Sequence, residues 1–561
     1  MNIAAPGTVE AKNRCLLQWA WVIVMVIGVV VIAARLVSKF SISNVWDDAY
    51  IFVRYAENVL AYRSVAWNPD GIPTFGLTST LFLAVVLSIR FFIVQPGLAA
   101  LLASTVPGIV FLALFVPTVK RFVPASKATQ RFILALIFVS LAVSETLTKH
   151  FVSGMDTMFV LDFLLLYFLI FKHFEDKVTL KSALWLGVAG GAAFAARPDL
   201  LLFTLTLPAV LILTGKGWPV RKMAIIVLGG SVILIALQAF VAQQYFGSPL
   251  PLPFYVKGLS SSYGPTIRTY YKSIPGKELF NYVFSYWHLF LLIILPIAVF
   301  PKRWWREASG TDKGLLLATI FFIVYYRFFV LQIMYYGQRF YYPTLPALLI
   351  LSARQLVFIV QEHSASYREK VCELFLDTPV AVSIVGALAV GIFIFSRVEA
   401  KGAIIKDLRS AHLTDFAVMH EYEASFKNYW FLLDAVSQLP DDVVIASTEI
   451  TYPGILNPRK RIIDLAGLND TYFAHSGFSA ERLLSIEHPD VIYLPHPHYA
   501  EMLGQIINNE TFKKNYLYWS AEELSQGTGQ EVAMGFAVRR SSPYFGAVQQ
   551  AVLQQFKEKA H

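Results

Sequence analysis

The sequence predicts an α-helical polytopic membrane protein of about eleven transmembrane helices, followed by an extracytoplasmic α/β domain. Three observations carry this expectation. Of the 561 residues 56% are apolar and only 15% charged, where a soluble chain carries about a quarter charged residues; the mean hydropathy is +0.54. Apolar runs of roughly 17–25 residues, each long enough to cross hydrocarbon as a helix, recur from Leu16 to about Phe395. From Arg397 the chain turns to short strand-like runs, "DDVVIASTEI", "RIIDLAG", "PDVIYLP" and "EVAMGFAVRR", separated by helix-like ones such as 480–487 and 546–558. That alternation is the pattern of an α/β fold.

The spans are expected at 16–37, 79–96, 98–118, 132–148, 157–172, 182–196, 199–214, 223–243, 284–300, 314–331, 343–360 and 379–396. The first, preceded by Lys12 and Arg14 and followed by Arg35 and Lys39, is longer than a signal-peptide core and reads as an uncleaved span. The short loops 120–131, 172–181, 215–222, 301–313 and 361–370 are mostly basic and so face the cytoplasm. The longer segments 38–78 and 244–283 then fall outside. Twelve full crossings would bring the chain back to the cytoplasm, whereas the basic loops put everything after about Phe395 outside. One run is therefore expected to be partial, and the closely joined pair 79–96 and 98–118 is the expected place. The division is a membrane domain over 1–396, with its outer loop at 38–78, and an outer α/β domain over 397–561. The net charge of +9 reports orientation, not a nucleic-acid partner. Cys15 and Cys372, the two cysteines, both adjoin cytoplasmic segments, so no structural disulfide is expected.

After the first span comes "SNVWDDAYIFVRYAENVL", Ser43 to Leu60, which sets Asp47 and Asp48 at the membrane rim. A helix starting near Asp47 places Asp47, Tyr50 and Arg54 on one face. One reading makes Asp47 an N-cap and Asp48 a partner of the helix dipole. The other makes a rim carboxylate the general base for a hydroxyl acceptor, held beside basic residues. Asn68 opens the turn "NPDG" in the same outer loop. Further polar clusters stand at outer span ends: "HFVSGMDTMF" with Asp156, "AARPDLLLF" with Arg197 and Asp199, "QQYFGSPLPLPFYVKG" with Lys257, and "MYYGQRFYYPTLP" with Tyr336 and Arg339. Ionisable groups at membrane depth are costly and pair with one another or serve a site. Arg197, Lys257 and Arg339 together could hold a phosphate while aromatic side chains line the passage of a lipid.

In order along the chain, "DDAYIFVRYAENV…WNPDG", "SGMDT", "ARPD", "YFGSPLPLPFYVKG", "QRFYYPTLP" and "ASTEITYPGILNPRKRIIDLAGLNDTYF" resemble the GT-C superfamily of membrane glycosyltransferases. Within it they resemble the branch of the mycobacterial cell-wall terminal arabinofuranosyltransferases. The chain departs from that branch at Asp156, where "SGLET" has a glutamate, and at "PLP", where "PNT" is usual. The resemblance implies transfer of a sugar, arabinofuranose in that branch, from a decaprenyl- or undecaprenyl-phosphate donor to a glycan, lipid or protein acceptor, at the periplasmic face of a bacterial inner membrane. It implies that Asp47 and Asp48 match the essential acidic pair, one as base and one as orienting group. Tyr50, Arg54, Asn68, Asp156, Arg197, Asp199, Lys257, Tyr336 and Arg339 are the expected substrate-binding residues. The sequence demands no cofactor, although adjacent carboxylates can ligate a hard divalent cation. Two other readings stay open at this point: a transferase of the same fold using another lipid-linked sugar such as mannose or an aminopentose, and a lipid or solute transporter.

Overall fold

The computed structural model describes residues 6–125, 127–215, 217–258, 265–333, 335–362 and 429–558. The expected span 379–396, the boundary at 396/397 and Cys372 lie outside the described residues.

The described chain is a multi-pass membrane protein with a C-terminal α/β domain. Four helices are long and apolar enough to cross a membrane, Trp21–Lys39, Pro96–Phe122, Thr157–Asp176 and Trp218–Phe246. Three bent pairs join them if each is one span: Thr129–Val143 with Glu145–Val152 at 76°, Pro265–Ser285 with Trp287–Val299 at 83°, and Pro301–Glu307 with Gly310–Phe328 at 119°. The first bend has a local cause. Ser144 ends one helix and caps the next by accepting from Leu147 N–H, and its hydroxyl also accepts from Tyr286. Of the closely joined pair at 79–118, Thr80–Phe92 has only 13 residues. At about 1.5 Å per residue it is shorter than the roughly 30 Å hydrocarbon core. Pro96–Phe122, with 27 residues, is long enough to cross.

The C-terminal domain holds a five-stranded mixed sheet: β1 (Val444–Ser447), β2 (Arg461–Asp464), β3 (Val491–Tyr493), β4 (Tyr516–Trp519) and β5 (Phe536–Arg539), in the order β2-β1-β3-β5-β4. β1 pairs in parallel with β2 and β3, while β5 runs antiparallel to β3 and β4. Four strands fall in the runs expected from sequence; β4, "YLYW", was not among them. Successive residues of a strand face opposite sides of a sheet, and here the two sides enter different cores. Ile445, Ile462 and Val491 join the core continuous with the membrane helices. Ala446, Ile463 and Ile492 join a second core that includes Leu252 and Val256 of the helix Leu252–Lys257. Burial on both faces is why these strands read as unbroken apolar runs.

Candidate active site

The helix Ala49–Tyr62 stands at the rim of the membrane helices and organises the site. Its start is seated by Trp46 N–H, which donates to Ser153 O at 2.9 Å. The turn that follows Ser153 needs a glycine: Gly154 has φ +73°, and a Cβ there would stand 2.7 Å from the Cβ of Ala49. This packing brings the "SGMD" turn, and with it Asp156, beside the "WDDA" turn.

The helix has two working faces. Asp48, Ile51 and Phe52 line a cleft with about 1120 Å³ of empty space. Tyr50 and Arg54 turn toward the C-terminal domain: the ring of Tyr50 lies 6.4 Å from that of Tyr452, and Arg54 donates to the carbonyls of Trp67 (2.8 Å), Gly454 (2.5 Å), Asn457 (3.0 Å) and Lys460 (2.9 Å). Arg54 also lies over the Trp67 ring, 4.7 Å from its centroid. Helical spacing put Asp47, Tyr50 and Arg54 on one face, with Tyr50 and Arg54 among the expected substrate-binding residues; none of the three lines the cleft. The guanidinium of Arg54 is consumed by backbone carbonyls and ties the rim to the C-terminal domain. Asn68 does the same: its amide donates to Ile462 O at 3.1 Å and accepts from Ile462 N–H at 2.8 Å, pairing with β2 as a neighbouring strand would. Tyr336, half-exposed against the Trp46 ring, also lies off the cleft, as does the buried Asp47.

Six of the expected residues do converge on the cleft: Asp48, Asp156, Arg197, Asp199, Lys257 and Arg339. Their pairing is unequal. Arg197 forks onto Asp199 through two bonds of 2.8 Å, and its remaining amino group stands 3.8 Å from Asp156. Tyr326 locks Asp199 with a hydroxyl donated at 2.6 Å. Arg339 donates to Asp48 at 3.0 Å, while its Nη1 is buried with no hydrogen-bond partner. Among the described residues the ammonium of Lys257 has neither a hydrogen bond nor an ion pair. Burial pushes Lys257 down to about 8, with Arg339 adding to that effect and Asp48, Asp464 and Asp47 opposing it. Asp48 occupies the N-cap position of its helix but makes no capping bond with its side chain. Its carboxylate serves Arg339 instead, and the helix starts one residue later than the reading that made Asp47 its N-cap.

Two further residues support the site: His150, which no sequence signal marks, and Asn469, a polar strand end near Asp464 that the sequence offers as a candidate on an acceptor-binding wall. His150 holds the segment that carries Arg339: its Nε2 lies 2.8 Å from Gly337 O, so that nitrogen bears the proton. Asn469, in the loop after β2, forms part of the cleft wall with Leu468. Its amide oxygen accepts from Tyr55 at 2.9 Å, and its amide nitrogen and backbone N–H donate to Asp464 at 3.0 and 2.7 Å. Burial pushes Asp464 up to about 7 against these bonds. Gly76 permits the junction, since a Cβ there would collide with Asn469 and Tyr55. In the sequence, Asn469 stands out only as a polar strand end in "DLAGLND".

The adjacent carboxylates do not form a metal's ligand set. Asp48 is engaged by a guanidinium, Arg197 takes the place beside Asp156 and Asp199, and among the described residues no three His, Cys, Asp or Glu side chains gather to hold an ion.

No family model and no curated protein sequence matches the chain. Among solved structures it is similar to ArnT from Cupriavidus metallidurans bound to undecaprenyl phosphate, at 13% identity and TM-score 0.49, over 93% of this chain and 98% of that one. It is also similar to the archaeal oligosaccharyltransferase AglB from Archaeoglobus fulgidus in complex with an inhibitory peptide and a dolichol-phosphate, at 11% identity and TM-score 0.44, over 95% of this chain and 72% of that one.

Proposed function

We propose that this chain is an inverting glycosyltransferase of the GT-C type, moving a sugar from a polyprenyl-phosphate donor to an acceptor hydroxyl. The site would face the periplasm of a bacterial inner membrane, and the sugar, following the motif resemblance, would be arabinofuranose. One observation carries the reading: Arg339 and Lys257, two cations with donor capacity to spare, share a cleft at the membrane rim with the carboxylate of Asp48. A lipid phosphate needs cations at that depth, and the acceptor needs a base.

In this reading Asp48 removes the acceptor proton as the acceptor oxygen attacks the anomeric carbon. The bond to phosphate breaks on the opposite side, inverting the configuration. Phosphate is already a good leaving group, so cations placed to receive its charge, together with positioning of the acceptor, supply most of the rate gain. Arg197, forked onto Asp199, shapes the cleft and adds positive potential. Asn469 offers an amide to a sugar hydroxyl from the side of the C-terminal domain.

Purified protein incubated with labelled polyprenyl-phosphate sugars and cell-envelope acceptors tests the reading. Transfer is expected from one donor, with a loss of about 10²–10⁴-fold in Asp48→Asn, the usual contribution of a general base. No turnover with any donor would overturn it in favour of transport.

A further inference from the structure

Arg339 occupies an unusual position between its neighbours. Through Nη2 it holds Asp48 at 3.0 Å, the two side chains being only 11% and 14% exposed. Its Nη1 is buried without a partner and the residue lines the cleft. Arg197 offers no such choice, because Asp199 takes two of its donors and Tyr326 fixes Asp199 in turn. The backbone leading to Arg339 is irregular, with two successive left-handed residues, Gly337 at φ +59° and Gln338 at φ +55°. It is held from outside by His150 on Gly337 O and by Glu278, which accepts from Gln338 N–H at 3.2 Å.

A carboxylate oxygen that accepts a guanidinium N–H is engaged where an incoming hydroxyl would have to donate. Only Oδ1 of Asp48 is then left to an incoming hydroxyl. A phosphate matches the guanidinium fork as a carboxylate does, and it brings further oxygens for the buried Nη1 that Asp48 leaves without a partner. We infer that Arg339 is exchanged between Asp48 and the donor phosphate, so that the arriving phosphate takes the guanidinium and thereby frees Asp48 to act as base. This rests on the proposed transferase activity and adds an order to it: donor first, acceptor second. The chemistry balances without a further reactant. The acceptor O–H bond breaks and its proton passes to Asp48; the acceptor oxygen bonds to the anomeric carbon; the bond from that carbon to phosphate breaks, its electron pair leaving with the lipid phosphate held by Arg339 and Lys257. When the phosphate departs, Arg339 returns to Asp48.

The exchange makes an unusual demand on binding: removing the catalytic carboxylate should improve affinity for the lipid phosphate. The test measures farnesyl phosphate binding to the full-length detergent-solubilised protein, with farnesol as the neutral control. Asp48→Asn should bind farnesyl phosphate roughly two- to fivefold more tightly than the unaltered protein, the scale of a partly exposed ion pair no longer competing. Asp47→Asn removes the same charge without freeing Arg339 and should gain clearly less. In an Arg339→Gln background, Asp48→Asn should give no gain. Should Asp48→Asn fail to fold, judged by thermal unfolding, Asp48→Ser provides the carboxylate-free variant. Unchanged or weaker binding in the Asp48 variants, or an equal gain in Asp47→Asn, overturns the exchange while leaving the transferase reading intact. Binding of farnesyl phosphate no tighter than farnesol in every variant overturns both.

Discussion

Two buried arginines, Arg54 and Arg339, behave differently. Arg54 gives its hydrogen bonds to four backbone carbonyls and stacks on Trp67. Arg339 shares its charge with a single carboxylate and keeps one buried amino group unpartnered. A buried donor without a partner costs free energy, and a fold carries such a cost where a ligand repays it. The satisfied arginine is architecture. The unsatisfied one, which lines the cleft, is where the proposed transferase would receive its lipid phosphate.

The sharpest way to break that contrast is Arg54→Ala. It strands several buried carbonyls and should lower stability on the order of 3–5 kcal/mol, seen as a lower unfolding temperature and faster proteolysis around residues 454–460. Arg339→Ala should leave unfolding nearly unchanged while lipid-phosphate binding collapses. If Arg54→Ala proves stable, a full set of partners is no guide to architecture here. Asn469→Ala probes a residue that belongs to both classes. Loss of its bonds to Tyr55 and Asp464 should cost about 1–3 kcal/mol of stability, and in assays of transfer KM should rise more than kcat falls; an unchanged KM would make Asn469 purely structural. The smallest effect concerns Lys257. Lowered to about 8 by burial, it is charged below that pH and neutral above it. Affinity for farnesyl phosphate should therefore fall by up to about tenfold between pH 7 and pH 9, and Lys257→Arg should flatten the curve.

The parts of this molecule legible from sequence are those governed by composition over a window or by the cost of a charge at membrane depth. The apolar runs announced the helices, and Asp156, Arg197, Asp199, Lys257 and Arg339, from four polar clusters between those runs, share the cleft. The parts that were not legible depend on contacts across the chain. Arg54 and Asn68 look like rim residues available to substrate until β2 and its neighbours, some 400 residues away in sequence, arrive to take their bonds. Helical spacing separated the faces of the Ala49–Tyr62 helix, but could not say which of them the C-terminal domain would cover. The bends beside Ser144 and Tyr286 fall at the ends of apolar runs, where "ETLTKHFV" follows one and a helix with Lys277 and Glu278 precedes the other, and hydropathy there marks the end of a run without the turn in direction. The strand "YLYW" is short, aromatic and partly exposed on its outer positions, so it lacks the run of β-branched residues that disclosed the other strands.

One consequence of the Ala49–Tyr62 helix concerns exchange of parts between proteins. Asp48, Tyr55 and Arg54 stand on the same rigid rod; the first reaches the cleft, and the other two are bolted to the C-terminal domain through Asn469 and the 454–460 segment. The C-terminal domain is thus no detachable accessory. A chimera that swaps it for a foreign one while keeping the native rod would misplace Asp48 by shifting its lever, whereas a chimera that carries the rod and the Trp67–Asn68 turn along with the domain keeps the two in register.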